Sequence, residues 1–283
     1  MHIRNPIEWI LQATAAPAAG LGAAAPAEYW PETRAEPQVK RIGLADLRIA
    51  LARGYEDFKA HRSDVLMLIV IYPAAALLAA VAIARHDLIP LIFPAVSGLT
   101  LVGPLATIWL AELSRRRENH GESTMSQAMD VFRSPQILAI AMFGVIDVLL
   151  YIAWIFSAKL IYAVTMGHTI QTSITSFADT LFGTSAGWEL MVIGVPAGFL
   201  FALAALAMGC VSLPLLLDRN VSLAQAISIS VLALRRNPVP ILGWGGVVVA
   251  GLLLGALPAL FGLAVVVPVL GHATWHLYRR IVE

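Results

Sequence analysis

A chain of 283 residues with 59% hydrophobic residues, 13% charged residues and a mean hydropathy of +0.78 is too apolar to be an ordinary soluble domain. Its formal net charge of +1 argues against nucleic acid as a partner, and its single cysteine, Cys210, leaves no disulfide to form within the chain. The composition is that of an integral membrane protein whose first partner is the lipid bilayer.

Residues 1–40 read as a cytoplasmic tail rich in Ala and Pro. Asn5, Pro6 and Glu8 supply the opening of a short helix at 5–12. From 13 to 37 there is too little apolar area to offset the cost of ordering, and a disordered linker is expected. No removable signal peptide is expected, because no basic start leads into a short apolar stretch with a small-residue cleavage site. Residues 41–283 read as one transmembrane domain.

The stretch 43–60 is amphipathic: Leu44, Leu47, Leu51, Tyr55 and Phe58 recur at three or four residues, with charges on the other faces. Such a helix suits the membrane interface. Apolar runs follow at 65–84, 88–111, 137–163, 190–217, 239–255 and 258–278, and at roughly 20 residues per span they predict six crossings. Arg115, Arg116, Arg117 and Arg133 load the second loop, Arg219, Arg235 and Arg236 the fourth, and Arg279 and Arg280 the end. The odd loops hold little beyond Arg85 and Lys159, so the even loops and both termini are expected in the cytoplasm.

A weak three-fold internal repeat runs through these elements. HRSDVL, FRSPQIL and RRNPVPIL each join an amphipathic stretch to an odd-numbered crossing, and GPLATIWLAELSRRRE echoes VPVLGHATWHLYRRIVE. The expected fold is therefore all-α, with three hairpins each preceded by an interfacial helix. The one sizeable outside segment, 164–188, carries Ser176 and Asp179 as caps for a short surface helix and is a candidate partner surface.

Few residues carry chemistry. Asp147 falls near the middle of the third crossing, where a carboxylate costs about 2.5–3.5 kcal/mol, and Tyr151 shares its face. Either a polar packing role or a proton relay fits that pair. His272 and His276, one turn apart, are spaced to share a metal or flank a haem, but no third ligand converges on them in sequence. Two interfacial histidines bonded to neighbouring helices or lipid phosphate are the plainer alternative. Glu112, Asp218 and Glu189 read as boundary markers at the ends of crossings. Gly194 and Gly198, and Gly251 and Gly255, follow the small-xxx-small spacing of close helix packing. Phosphate loops, nucleophile elbows and zinc-helix motifs are absent, so nothing argues for an enzyme, and no cofactor is predicted beyond the haem or metal alternative.

RNPIEW, GYEDFKAHRSDVLMLIVIYP, GPLATIWLAELSRRRE, SLPLLLDRNVSLAQAISIS, RRNPVPILGW and VPVLGHATWHLYRR resemble a bacterial family of predicted integral membrane proteins classed as a domain of unknown function. Some of its members carry a cytochrome c oxidase subunit label. The resemblance spans most of 40–283, with GHATWHLYRR its most specific part. It implies an inner membrane location and a respiratory connection, and it supplies no catalytic residues. The many-histidine core of a haem-copper subunit is missing, which leaves an accessory or assembly role in a membrane complex, with a small-solute or lipid transporter using Asp147 as the alternative.

Overall fold

The computed structural model describes residues 37–61, 74, 86–106, 108–121, 123–124, 131–132, 134–167, 173–258 and 260–283. Every extended element among them is helical. In chain order these are α1 (Leu44–His61), a 3₁₀ segment (His86–Leu91), α2 (Ile92–Ala106), α3 (Ile108–His120), α4 (Ile137–Met166), α5 (Ile174–Gly183), α6 (Ser185–Asp218), α7 (Leu223–Arg236), α8 (Pro238–Ala256) and α9 (Leu263–Ile281). The helix expected at 5–12, the linker up to residue 36 and nearly all of the first crossing lie outside the described residues.

Among the described helices three are long and apolar enough to cross a membrane: α4 with 30 residues, α6 with 34 and α8 with 19. The second expected crossing, 88–111, is covered by the 3₁₀ segment, α2 and α3, with residue 107, between α2 and α3, outside the described residues. The sixth, 258–278, becomes a turn followed by α9, which is not among the three because its second half is polar. Arg279 and Arg280 close its last turn, with His272 and His276 a little before them.

Helix ends follow local chemistry. Ser173, rather than the expected Ser176, caps α5, its Oγ accepting from the Ser176 N–H at 3.0 Å. Ser222 caps α7 in the same way through the Gln225 N–H at 3.2 Å. Asn237 ends α7 and opens α8, where Pro238 takes the first helical position that lacks a donor requirement.

The chain folds as two compact units. In one, formed by 69–103 and 146–205, Trp154 and Ala158 of α4 anchor a core with Leu91, Tyr151 and Phe201. Gly98 lets the α4 aromatics approach: a Cβ there would stand 2.5 Å from the Tyr151 ring and 2.8 Å from that of Trp154. Trp154 Nε1 donates to the Pro94 carbonyl at 2.9 Å, so its indole stays satisfied while buried.

The other unit takes in 104–145, 206–283 and the described residues before 68. Here α1 lies on α9 and crosses it at Gly54, where a Cβ would fall 2.6 Å from both the Cβ and the backbone N of Ala273. This contact corrects the amphipathic reading of α1. The face that packs is Leu47, Ala50, Gly54, Asp57 and Phe58, whereas Leu44 and Tyr55 are 56% and 48% exposed. A missing side chain at Gly54 admits the neighbouring backbone more closely than any leucine could, and the helix rotates to use it. Outside the helices, Val39 and Val282 form an isolated antiparallel bridge that ties the lead-in to α1 to the end of α9.

Because the atoms facing Gly54 include backbone, Gly54→Val is expected to destabilise the protein by about 2 kcal/mol or more, read as a lowered thermal midpoint in mild detergent. Gly43 supplies the control, since a Cβ there would meet nothing within 4 Å: Gly43→Ala should stay within about 0.5 kcal/mol of the parent.

Candidate functional site

The richest chemistry among the described residues lies where α1, α3 and α9 meet. Asp57, one turn after Gly54, is buried and accepts on both oxygens: from Arg117 Nη1 at 2.6 Å on Oδ1 and from His276 Nε2 at 2.8 Å on Oδ2. A carboxylate can only accept, so the His276 proton is assigned to Nε2. Burial raises the Asp57 carboxyl, but hydrogen bonds from His276 and Ser114 and the charges of His276 and His272 outweigh it, leaving the pKa below the ordinary value.

The second histidine sits beside it. His272 Nδ1 pairs with Ser114 Oγ at 2.8 Å, and its ring stacks on His61 with centroids 5.6 Å apart. His61 in turn donates from Nδ1 to the Asp57 carbonyl at 2.9 Å and shares a 2.6 Å hydrogen bond with Ser123 Oγ through Nε2. The expected ligand pair is thus tied to a serine and an aspartate. Among the described residues no three His, Cys, Asp or Glu side chains gather as a metal site.

Around this cluster the charges are matched. Glu112, fully buried, receives Arg115 Nε at 2.7 Å and Nη2 at 2.8 Å, and also Arg116 Nε at 2.7 Å. Two parallel donors from one guanidinium make the stronger, directional form of ion pair. Asp218 accepts from Tyr278 Oη at 2.7 Å, and Glu118 from Trp275 Nε1 at 2.7 Å and Arg279 Nε at 3.1 Å. Asp46 holds the Arg280 guanidinium, with Nε at 2.7 Å, and its carboxyl is lowered chiefly by the Gly43 N–H, against the opposing effect of burial, with Arg280 adding its hydrogen bond and charge. Glu112 and Asp218, expected as boundary markers, are therefore buried pairing partners.

Three junctions bond onward to other segments. His61, the last residue of α1, meets Ser123. Gln136, before α4, donates from Nε2 to Asn220 Oδ1 at 3.0 Å and to the Val221 carbonyl at 3.1 Å. Asn237, after α7, accepts the Ile42 N–H at 2.8 Å and donates to the Lys40 carbonyl at 2.9 Å.

Asp147 stands apart from all of this. It is 1% exposed, and its Oδ2 has no hydrogen-bond partner among the described residues. Tyr151 does not reach it, since its hydroxyl donates to the Ala95 carbonyl at 3.3 Å. Of the packing glycines, an added Cβ would stand 3.0 Å from Trp154 at Gly198, 3.2 Å from Val266 at Gly251 and 3.0 Å from Leu263 at Gly255; at Gly194 it would meet, among the described residues, only Leu190 of its own helix, at 4.0 Å.

Sequence reasoning passed over Asp57, Ser114 and Gly54. A signal existed in part: a glycine and an aspartate three residues apart on one face of α1 mark a place where a partner helix comes close enough to bond a carboxylate.

Residues 92–218 match the family model described as Predicted integral membrane protein (DUF2189), from the first residue of α2 to the last of α6, a little under half of the chain. The resemblance to predicted integral membrane proteins of unknown function is therefore real, but it is narrower than 40–283: it leaves out GHATWHLYRR, and it carries no oxidase label. No curated protein and no solved structure matches the chain. With this match and its apolar helices, the chain is an integral membrane protein.

Replacing Asp57 by Ala leaves Arg117 and His276 facing an uncompensated buried site, and a loss of about 3–5 kcal/mol is expected. Asp57 also predicts an acid limb. Its folded pKa lies below the unfolded one, so its stabilisation is complete above about pH 4 and is lost as pH falls through the folded value. Thermal midpoints measured from pH 3 to 7 should show this decline, and Asp57→Asn should flatten it.

Proposed function

We propose that the chain is a non-catalytic scaffold of the bacterial inner membrane, an accessory or assembly partner of a membrane complex such as a respiratory oxidase, with both termini in the cytoplasm. The observation that carries this reading is the use of ionisable side chains at the basic end. Asp57, Asp218, Glu118 and Asp46 are spent on holding Arg, His, Tyr or Trp of neighbouring helices, and Glu112 on holding Arg115 and Arg116 of its own helix. Groups consumed in this way serve rigidity, and a rigid, basic, cytoplasmic surface suits docking better than turnover.

The same reading takes the chain as three repeated units. Support comes from the junction bonds, which run in a cycle: His61 of the first unit to the segment before the second, Gln136 of the second to the segment before the third, and Asn237 of the third back to the segment before the first. A ring of this kind would make the units mutually dependent. Purification from the source membrane in a mild detergent, with mass spectrometry and an absorption spectrum on one sample, is the test. Membrane-complex subunits in fixed ratio to the chain are expected; a protein that consistently runs alone would overturn the scaffold.

A second reading is favoured by Asp147, whose unpaired, buried oxygen is expensive inside a membrane helix. A carboxylate retained there at such cost suits a proton or cation path. In liposomes carrying the purified protein and an internal pH dye, this reading predicts proton entry above that of empty liposomes and its loss in Asp147→Asn. Wild-type liposomes as tight as empty ones would remove it.

A further inference from the structure

α8 and α9 run side by side as a hairpin. A Cβ added at Gly251 would stand 3.2 Å from Val266 and 3.6 Å from Leu270, and one at Gly255 3.0 and 3.1 Å from Leu263 and Val266. No charged residue occurs from 238 to 271, so by composition alone the pair looks like two crossings.

The packing of α1 restricts how far it can enter. The lower half of α9 holds His272, Trp275, His276, Tyr278 and Arg280, each bonded to a polar side chain of α1, α3 or α6. α1 itself crosses α9 at Ala273 and reaches the lower part of α8, where a Cβ added at Gly243 would stand 3.4 and 3.5 Å from Leu44 and Leu47. Arg48, Arg53, Glu56 and Lys59 of α1 are exposed at this level. Placing four exposed charges in hydrocarbon at about 2.5–3.5 kcal/mol each is prohibitive, so this level lies outside the membrane core.

What remains is short. Beyond Gly245, α8 has residues 246–256 and α9 has 263–271, about 16 and 14 Å at 1.5 Å per residue. The hydrocarbon core is about 30 Å thick, and spans of this reduced length are those of re-entrant segments. The tip nevertheless has the surface of a membrane element. Val249, Leu253, Leu254 and Val265 are exposed, with Leu257 79% and Phe261 60% exposed at the turn. Backbone donors of the turn are met within the hairpin: Leu260 N–H to Ala256 O at 3.1 Å, Phe261 N–H to Pro258 O at 3.0 Å, and Leu263 N–H to Leu260 O at 3.0 Å. Hydrocarbon offers no water to satisfy them, so internal pairing is what insertion requires.

We propose that α8 and α9 form a re-entrant hairpin that enters one leaflet from the side bearing the basic network, turns at Leu257–Phe261 within the hydrocarbon, and leaves on the same side. Its partner is the acyl region of that leaflet. The fifth and sixth crossings expected from hydropathy become one half-depth insertion, and both ends of the hairpin still share a side.

Single-cysteine variants in a Cys210→Ala background test this. Leu257→Cys and Phe261→Cys are treated with a membrane-impermeant maleimide in right-side-out spheroplasts and in inverted vesicles, beside Arg48→Cys as the control for the face that carries α1 and Thr184→Cys, which the arginine bias of the sequence assigns to the other face. The expected result is at least several-fold weaker labelling of both tip cysteines than of the controls from either side, with full labelling once detergent is added. Tip labelling from the face opposite Arg48→Cys, at the level of Thr184→Cys, would overturn the proposal. A nitroxide at position 257 provides a readout independent of thiol reactivity: oxygen should broaden its spectrum several-fold more than a water-soluble nickel chelate, and equal broadening would overturn the hairpin's depth.

Discussion

A charge buried in a helical bundle persists when its partner is supplied by geometry, and at Asp57 the geometry comes from a glycine. Gly54 and Asp57 are three residues apart on α1; Ala273 and His276 are three apart on α9. Close approach at the first pair brings the second within the 2.8 Å of a hydrogen bond. Once α1 is fixed there, Arg117 reaches the other Asp57 oxygen, and His61 reaches Ser123 beyond α3. The basic end thus follows from one steric fact, the lack of a side chain at Gly54, which a larger residue would convert into a separation of the helices and an unpaired carboxylate.

The same constraint sorts the polar residues by depth. In hydrocarbon every polar group must find its partner inside the protein, and at the basic end each acidic side chain described above does so. Asp147 differs, being buried with an oxygen left unpaired. A protein selected for packing alone has no use for that cost, which is why this single residue carries the transport alternative while five paired carboxylates carry the scaffold.

Hydropathy exposed what is local and periodic. The long apolar helices α4 and α6, the arginine-rich helix ends and the short helix within 164–188 were all legible, since each depends on neighbours within a few residues. Contacts over long separations were not. His272 finds Ser114 at a separation of 158 residues, and His276 finds Asp57 at 219, partners that the spacing within α9 could not indicate. The packed face of α1 was misjudged because hydrophobicity ranks Leu44 and Tyr55 above glycine, whereas helix approach ranks glycine first.

Length alone does not fix how deep α8 and α9 lie. An uncharged run from 238 to 271 meets the composition of two membrane spans, but composition counts residues and not the level at which they stand. When a charged helix packs along the lower part of such a hairpin, that part is taken from the membrane, and the apolar remainder on each arm falls to about half the core thickness. In the proposed hairpin, the charges that decide the depth of α8 and α9 lie on α1, some two hundred residues away in the chain, on the face that Gly54 turns toward solvent by turning Asp57 inward.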